Sequence, residues 1–127
     1  MRTVLVVDDE FGIVEALSAL LTDEGYHVLS ALNGRQGLEK LLQTRPDVIL
    51  VDFMMPVMDG PGLIAALHAP DADPTLANIP VILMSAVPEA VVRRACSGFV
   101  AFLRKPFDAH DLLGLLFDLW KAAPPRV

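Results

Sequence analysis

Basic residues are scarce. Ten lysines and arginines face sixteen aspartates and glutamates over 127 residues, a formal net charge of −6. Direct nucleic-acid binding needs a basic face, so this balance argues against it. An anionic membrane surface is disfavoured for the same reason. Cysteine is almost missing. The single Cys96 excludes an internal disulfide and fits a reducing compartment. The three histidines, His27, His68 and His110, are scattered without metal-ligand spacing. Although 54% of the residues are hydrophobic, no run of them is long enough to cross a bilayer. The N-terminus leads straight into a strand pattern and lacks the layout of a signal peptide. A cytoplasmic location is therefore expected. The length suits one domain with a substantial core, and no repeat or low-complexity segment interrupts it.

What is present is organised around Val48-Ile49-Leu50-Val51-Asp52, where four aliphatic residues run into a carboxylate. Pro56, Asp59 and Gly60 then mark a turn. Such a continuous aliphatic run reads as a strand buried on both faces of a parallel sheet. Val4-Leu5-Val6-Val7 is a second run of this kind, closed by Asp8-Asp9-Glu10. Ligands of open parallel sheets bind beyond the carboxyl ends of the strands, which is where these acids fall. If the two strands are neighbours, Asp8, Asp9 and Asp52 converge, and a divalent cation resolves their repulsion. Hard oxygen ligands with positions left for water suit Mg2+.

Along the chain, residues 3–8 read as a strand, Phe11–Asp23 as a helix ended by Gly25, and His27–Ala31 as a second strand. A helix from Arg35 to Gln43 precedes the central strand over 47–52, and another follows Pro61. Ala69–Asn78, with Pro70, Asp71, Asp73 and Pro74, reads as a long solvated connection. Pro80–Met84 is the fourth strand, Pro88–Cys96 a short helix, Phe99–Leu103 the fifth strand, and Asp108–Lys121 the last helix. Strands and helices alternate, five of each. The expected fold is α/β, a doubly wound parallel sheet with helices on both faces. Right-handed crossovers favour strand order 2-1-3-4-5, the flavodoxin-like arrangement, which puts the first and third strands side by side.

Two more polar residues end strands on the same edge, Ser85 after the fourth and Lys105 after the fifth. Lys105 is placed to pair with Asp52 and then with an anion attached to it, to which Ser85 can donate a hydrogen bond. A nucleophile, cations and a positioned donor are the parts phosphoryl transfer requires.

The chain resembles the receiver domain of two-component response regulators. The resemblance rests on Val6-Val7-Asp8-Asp9-Glu10, Asp52 through Gly60, Ile79-Pro80-Val81-Ile82, Ser85-Ala86 and Lys105-Pro106-Phe107. It implies a receiver domain over residues 1–123, with 124–127 a tail or the start of a linker. It implies that Asp52 is the phosphoacceptor, supplied by a histidine kinase or phosphotransfer protein. Asp8 and Asp9 would hold Mg2+ together with Asp52 and the backbone carbonyl of Met54. Ser85 and Lys105 would bind the phosphoryl oxygens, and Lys105-Pro106 is a candidate cis peptide. Phe102 falls at the family's switch aromatic; the competing reading is a core strand residue. The resemblance implies no organic cofactor and no enzyme beyond self-phosphorylation and self-dephosphorylation. Met54 and Val87 are expected to limit water at the site. Three alternatives stand beside this reading: an interaction module that works without phosphate, an aspartyl-nucleophile phosphatase, and a flavin-binding domain of the same topology. The phosphatase lacks an acid at Met54, and the flavin domain lacks a hydroxyl-rich loop at Asp8-Asp9-Glu10.

In the family, kinases and phosphotransfer proteins usually dock near the first helix and the site loops. Phe11 is the contact candidate there, whereas Ile13 is expected in the core. In the last helix, Leu112, Leu115, Leu116 and Leu119 make a core stripe, and Leu113, Phe117 and Trp120 add a second apolar side. The family's signalling face joins helix 4, strand 5 and helix 5, so this surface is expected to dimerise or to bind an output element.

Overall fold

The aliphatic runs lie side by side in the computed structural model, which describes residues 1–122. The strands are β1 (Thr3–Val7), β2 (His27–Ala31), β3 (Val48–Asp52), β4 (Val81–Ser85) and β5 (Ala101–Arg104). Every pairing is parallel, and the order is β2-β1-β3-β4-β5, as expected. The helices are α1 (Phe11–Asp23), α2 (Gly34–Gln43), α3 (Gly60–Leu67), α4 (Glu89–Ala95) and α5 (Ala109–Ala122).

Period-two alternation divides each strand between two cores. Val48 and Leu50 of β3 join Val14, Leu17, Leu112 and Leu116 of α1 and α5. Ile49 and Val51 join Leu41, Leu63 and Val92 of α2, α3 and α4. All five residues of β3 are buried, which is why its sequence runs aliphatic without alternating. Local chemistry sets the helix starts. The Asn33 side chain accepts from Gln36 N and the Asp59 side chain from Gly62 N, so both are N-caps. Gly25 takes φ +93° after α1, a conformation that other residues rarely adopt.

Three details differ from the expectation. The fifth strand starts at Ala101 and not at Phe99, because its ladder with β4 opens at Ile82↔Ala101; Phe99 is buried just outside it. The connection after α3 is not all solvated loop: Pro74–Asn78 forms a 3-10 helix. Asp73 caps it through Thr75 N, and Leu76 anchors it in the core. The second apolar side of α5 is mostly turned inward. Leu113 and Trp120 pack half-buried on the α1/α5 core, and the Trp120 indole N–H donates to the Tyr26 hydroxyl at 2.8 Å. The Arg2 guanidinium covers the same indole, 4.1 Å from its ring centre. Of the large apolar side chains of α5, only Phe117 is exposed among the described residues. Residues 124–127, read as a tail or linker, lie outside the described residues.

Candidate functional site

Register brings the acids together. Val7 of β1 lies opposite Val51 of β3, so Asp8 and Asp52 both follow at the carboxyl edge of the sheet. Oxygens of Asp8, Asp9 and Asp52 lie within 4.8 Å of one another. Asp8 is fully buried and Asp52 nearly so, whereas Asp9 is exposed. Lys105, delivered from the end of β5, places its Nζ 2.7 Å from Asp8 Oδ2 and 3.1 Å from Asp52 Oδ1. Asp8 Oδ1 accepts from Glu10 N at 3.0 Å. The sequence pointed to Asp52 as the partner of Lys105; the shorter contact is to Asp8.

Three carboxylates against one ammonium leave an excess of negative charge in a partly desolvated cleft. Burial raises the Asp52 pKa to about 6; the hydrogen bond from Lys105 works against this, and the charges of Asp8 and Asp9 add to it. Burial on its own would lower the Lys105 pKa, but hydrogen bonds and charge from Asp8 and Asp52 outweigh it and hold it above the ordinary lysine value. The donor set fits a hard divalent cation: convergent carboxylates, with Asp9 open to solvent. Met54 and Asp9 line one shallow depression beside the cleft, and the Met54 side chain points largely into solvent.

The loop from β3 to α3 is shaped tightly around this edge. Met58 N donates to Pro56 O at 2.8 Å, closing a three-residue turn about Val57, whose φ is +70°. Met58 O in turn accepts from Gly34 N at 2.8 Å, tying the loop to the start of α2. Gly60 has no room for a side chain, since a Cβ there would lie 2.7 Å from Asp52 O. The glycine is thus required for α3 to begin against the end of β3.

Ser85 is buried, and its Oγ accepts from Val87 N at 2.9 Å, leaving its proton for another acceptor. Lys105 N donates to Ser85 O at 2.8 Å, which ties the two strand ends together. The Lys105-Pro106 peptide is cis. Phe102 is partly buried against the core, its ring centre 6.5 Å from that of Phe99. Phe11 is exposed and Ile13 is half-buried in the α1/α5 core, as expected for both. Next to Lys105, a mostly apolar groove of about 500 Å3 runs between Ile13, Ala16 and Leu17 of α1 and Phe107. One residue escaped the sequence reading. Arg104 Nε donates to the carbonyl of Ala86 at 2.8 Å. A cation next to Lys105 but on the opposite side of the strand was the available signal.

Comparison with known proteins agrees with this geometry. The family described as the response regulator receiver domain matches residues 4–117. Sporulation initiation phosphotransferase F of Bacillus subtilis is 33% identical over 111 residues, 86% of either chain. Transcriptional regulatory protein PrrA of Mycobacterium leprae is 37% identical over 112 residues, which cover 87% of this chain but 46% of that protein. The chain thus spans less than half of some curated relatives it matches. Among solved structures, the signal receiver domain of a signal transduction histidine kinase from Syntrophus aciditrophicus superposes with TM-score 0.88 at 30% identity, covering 100% of this chain and 96% of that one. The response regulator protein TrrA of Thermotoga maritima, solved in complex with Mg2+-BeF, superposes with TM-score 0.81 at 26% identity, covering 94% of this chain and 99% of that one.

Proposed function

The chain belongs to the response regulator receiver domain family, and from that premise we propose that Asp52 accepts a phosphoryl group from a phosphohistidine in a Mg2+-dependent reaction. The donor is a sensor histidine kinase or a histidine phosphotransfer protein. The observation that carries this reading is the convergence of Asp8, Asp9 and Asp52 at one strand edge, with the Lys105 ammonium touching two of them.

In this reaction an Asp52 oxygen forms the new O–P bond while the histidine N–P bond breaks. With its pKa near 6, Asp52 is mostly ionised at neutral pH, so no general base is required. Lys105 orients the acceptor and moves its contact to a phosphoryl oxygen, while the Ser85 hydroxyl donates to another. Asp8, Asp9, Asp52 and the Met54 carbonyl would hold Mg2+, which would supply positive charge to the transferring group. Phe102 repacks when Ser85 is drawn toward the phosphoryl group. The chain carries out this chemistry on itself and turns over no separate metabolite.

The donor docks at the exposed Phe11 and the neighbouring groove beside Lys105. The state of Asp52 is read on the face formed by α4, β5 and α5, where Val91 of α4 and Val100 beside β5 are exposed. A second copy or an output element is the reader. Trp120 is engaged inside the monomer through Tyr26 and is not a contact residue of that face. A cytoplasmic location belongs to the same reading; among the described residues, no helix is long and apolar enough to cross a membrane.

Intact mass after incubation with a small-molecule phosphodonor tests the proposal. One phosphoryl group should be gained with Mg2+, none with a chelator, and none in Asp52→Asn. Equal labelling of Asp52→Asn would move the acceptor elsewhere. No labelling at all, even from a histidine phosphodonor protein, would favour an interaction module that works without phosphate.

A further inference from the structure

The two last residues before the cis peptide reach in opposite directions. Lys105 turns into the acidic cleft, where it holds Asp8 and Asp52. Arg104 lies on the outer surface, opposite Ser85 in the β4–β5 register. Its Nε donates to the carbonyl of Ala86, the first residue after β4, at 2.8 Å. The segment it grips has few other restraints. Ser85 Oγ accepts from Val87 N, and Ala86 is exposed. The helix that follows, α4, has seven residues, starts without a side-chain cap and buries only Val92 among the described residues. The place of the loop is therefore set largely from β5.

Resting on the reading of Asp52 given above, we propose that Arg104 is a latch that holds the Ser85–Val87 segment in the unphosphorylated arrangement. In this proposal Ser85 donates to a phosphoryl oxygen on Asp52 by moving toward it together with the turn that its Oγ makes with Val87 N. The carbonyl of Ala86, one residue on, moves with it. A guanidinium-to-carbonyl hydrogen bond is a charge-assisted contact and opposes that motion. Release has a destination: Arg104 lines a surface depression with Phe107, Asp111 and Leu115, and Asp111 is the acid on that wall. Arg104 thereby reports the state of the loop on the β5–α5 surface. It is a positioning residue and touches no reacting atom.

The latch makes a prediction of unusual sign. Removing a positive charge near an anion site should weaken anion binding on Coulomb grounds. Removing a latch should strengthen it. Arg104→Met keeps the aliphatic stem and deletes the donor. Arg94→Met is the control, because Arg94 is also exposed and donates to a backbone carbonyl, that of Ala90 at 3.3 Å, but within its own helix. Two quantities are measured on the full chain. One is amide hydrogen exchange of Ala86 and Val87 without phosphate or metal. The other is the affinity for fluoroberyllate, a phosphoryl mimic, with Mg2+ present. Arg104→Met should speed exchange at these amides and tighten fluoroberyllate by about threefold to tenfold, the worth of one hydrogen bond. Arg94→Met should do neither. Unchanged exchange, or affinity unchanged or weakened in Arg104→Met, overturns the latch. A wild-type protein that takes up no fluoroberyllate overturns the Asp52 reading instead, and the exchange result then decides alone whether Arg104 restrains the loop.

Discussion

Lys105 lies closer to Asp8 than to Asp52, 2.7 Å against 3.1 Å. Asp8 is the more deeply buried acid, with a fully covered side chain, and a buried carboxylate is costly unless paired. The ammonium therefore neutralises the more deeply buried acid and stands beside Asp52 with the same atom. Anything that draws Lys105 toward Asp52 takes it from Asp8.

Deleting that ammonium exposes the structural half of its role. Lys105→Met leaves Asp8 charged, buried and without its cation, and it should lose about 2–4 kcal/mol of stability in chelator, at the lower end because the cleft is partly open. Added Mg2+ should restore part of the loss, since a cation at the same acids substitutes for the ammonium. Urea unfolding with chelator and with Mg2+ measures both. Equal stability of the two proteins in chelator would show that the Lys105–Asp8 contact adds nothing to the stability of the fold.

Asp52 should make the metal-free protein less stable as pH rises. Its folded pKa of about 6 exceeds the unfolded value of about 4, so the folded state binds more protons between them. The contribution is fully present below about pH 4 and is lost as pH climbs through 6. The gap corresponds to on the order of 2–3 kcal/mol for a side chain that is 12% exposed. Asp52→Asn removes the titration, so the stability difference between the mutant and the wild type should widen in the mutant's favour from pH 4 to pH 7. Denaturant titrations across that range in chelator would read it, and a flat difference would contradict the raised pKa.

Val57 holds a β-branched side chain at φ +70° while 77% exposed. The conformation is strained by about 1–3 kcal/mol, and little packing is lost on removing the side chain. Val57→Gly relieves the strain but adds unfolded-state entropy, so a net gain of about 1 kcal/mol is expected in thermal unfolding. Val57→Ala should gain less. A loss in Val57→Gly would mean that the side chain contributes to the loop in a way its exposure hides.

The sequence alone determined the layout. Aliphatic runs ending in acids specify buried parallel strands, and the handedness of crossovers leaves one economical order. That order makes β1 and β3 neighbours, so Asp8, Asp9 and Asp52 had to meet. Gly60 was legible as a turn residue for a similar reason, although only the packing shows that Asp52 O is what excludes a side chain there. These are statements about backbone periodicity and chain direction, which neighbouring residues encode. The tertiary structure decided the partners. The preference of Lys105 for Asp8 spans 97 residues and depends on which carboxylate is more desolvated. The bond from Trp120 to Tyr26 spans 94 residues and turns inward a side chain that helical periodicity alone places on a free face. The bond from Arg104 to Ala86 exists because two adjacent parallel strands end level with each other. Distance, burial and the competition between possible partners exist only once the chain has folded, and a pattern along one dimension carries none of them.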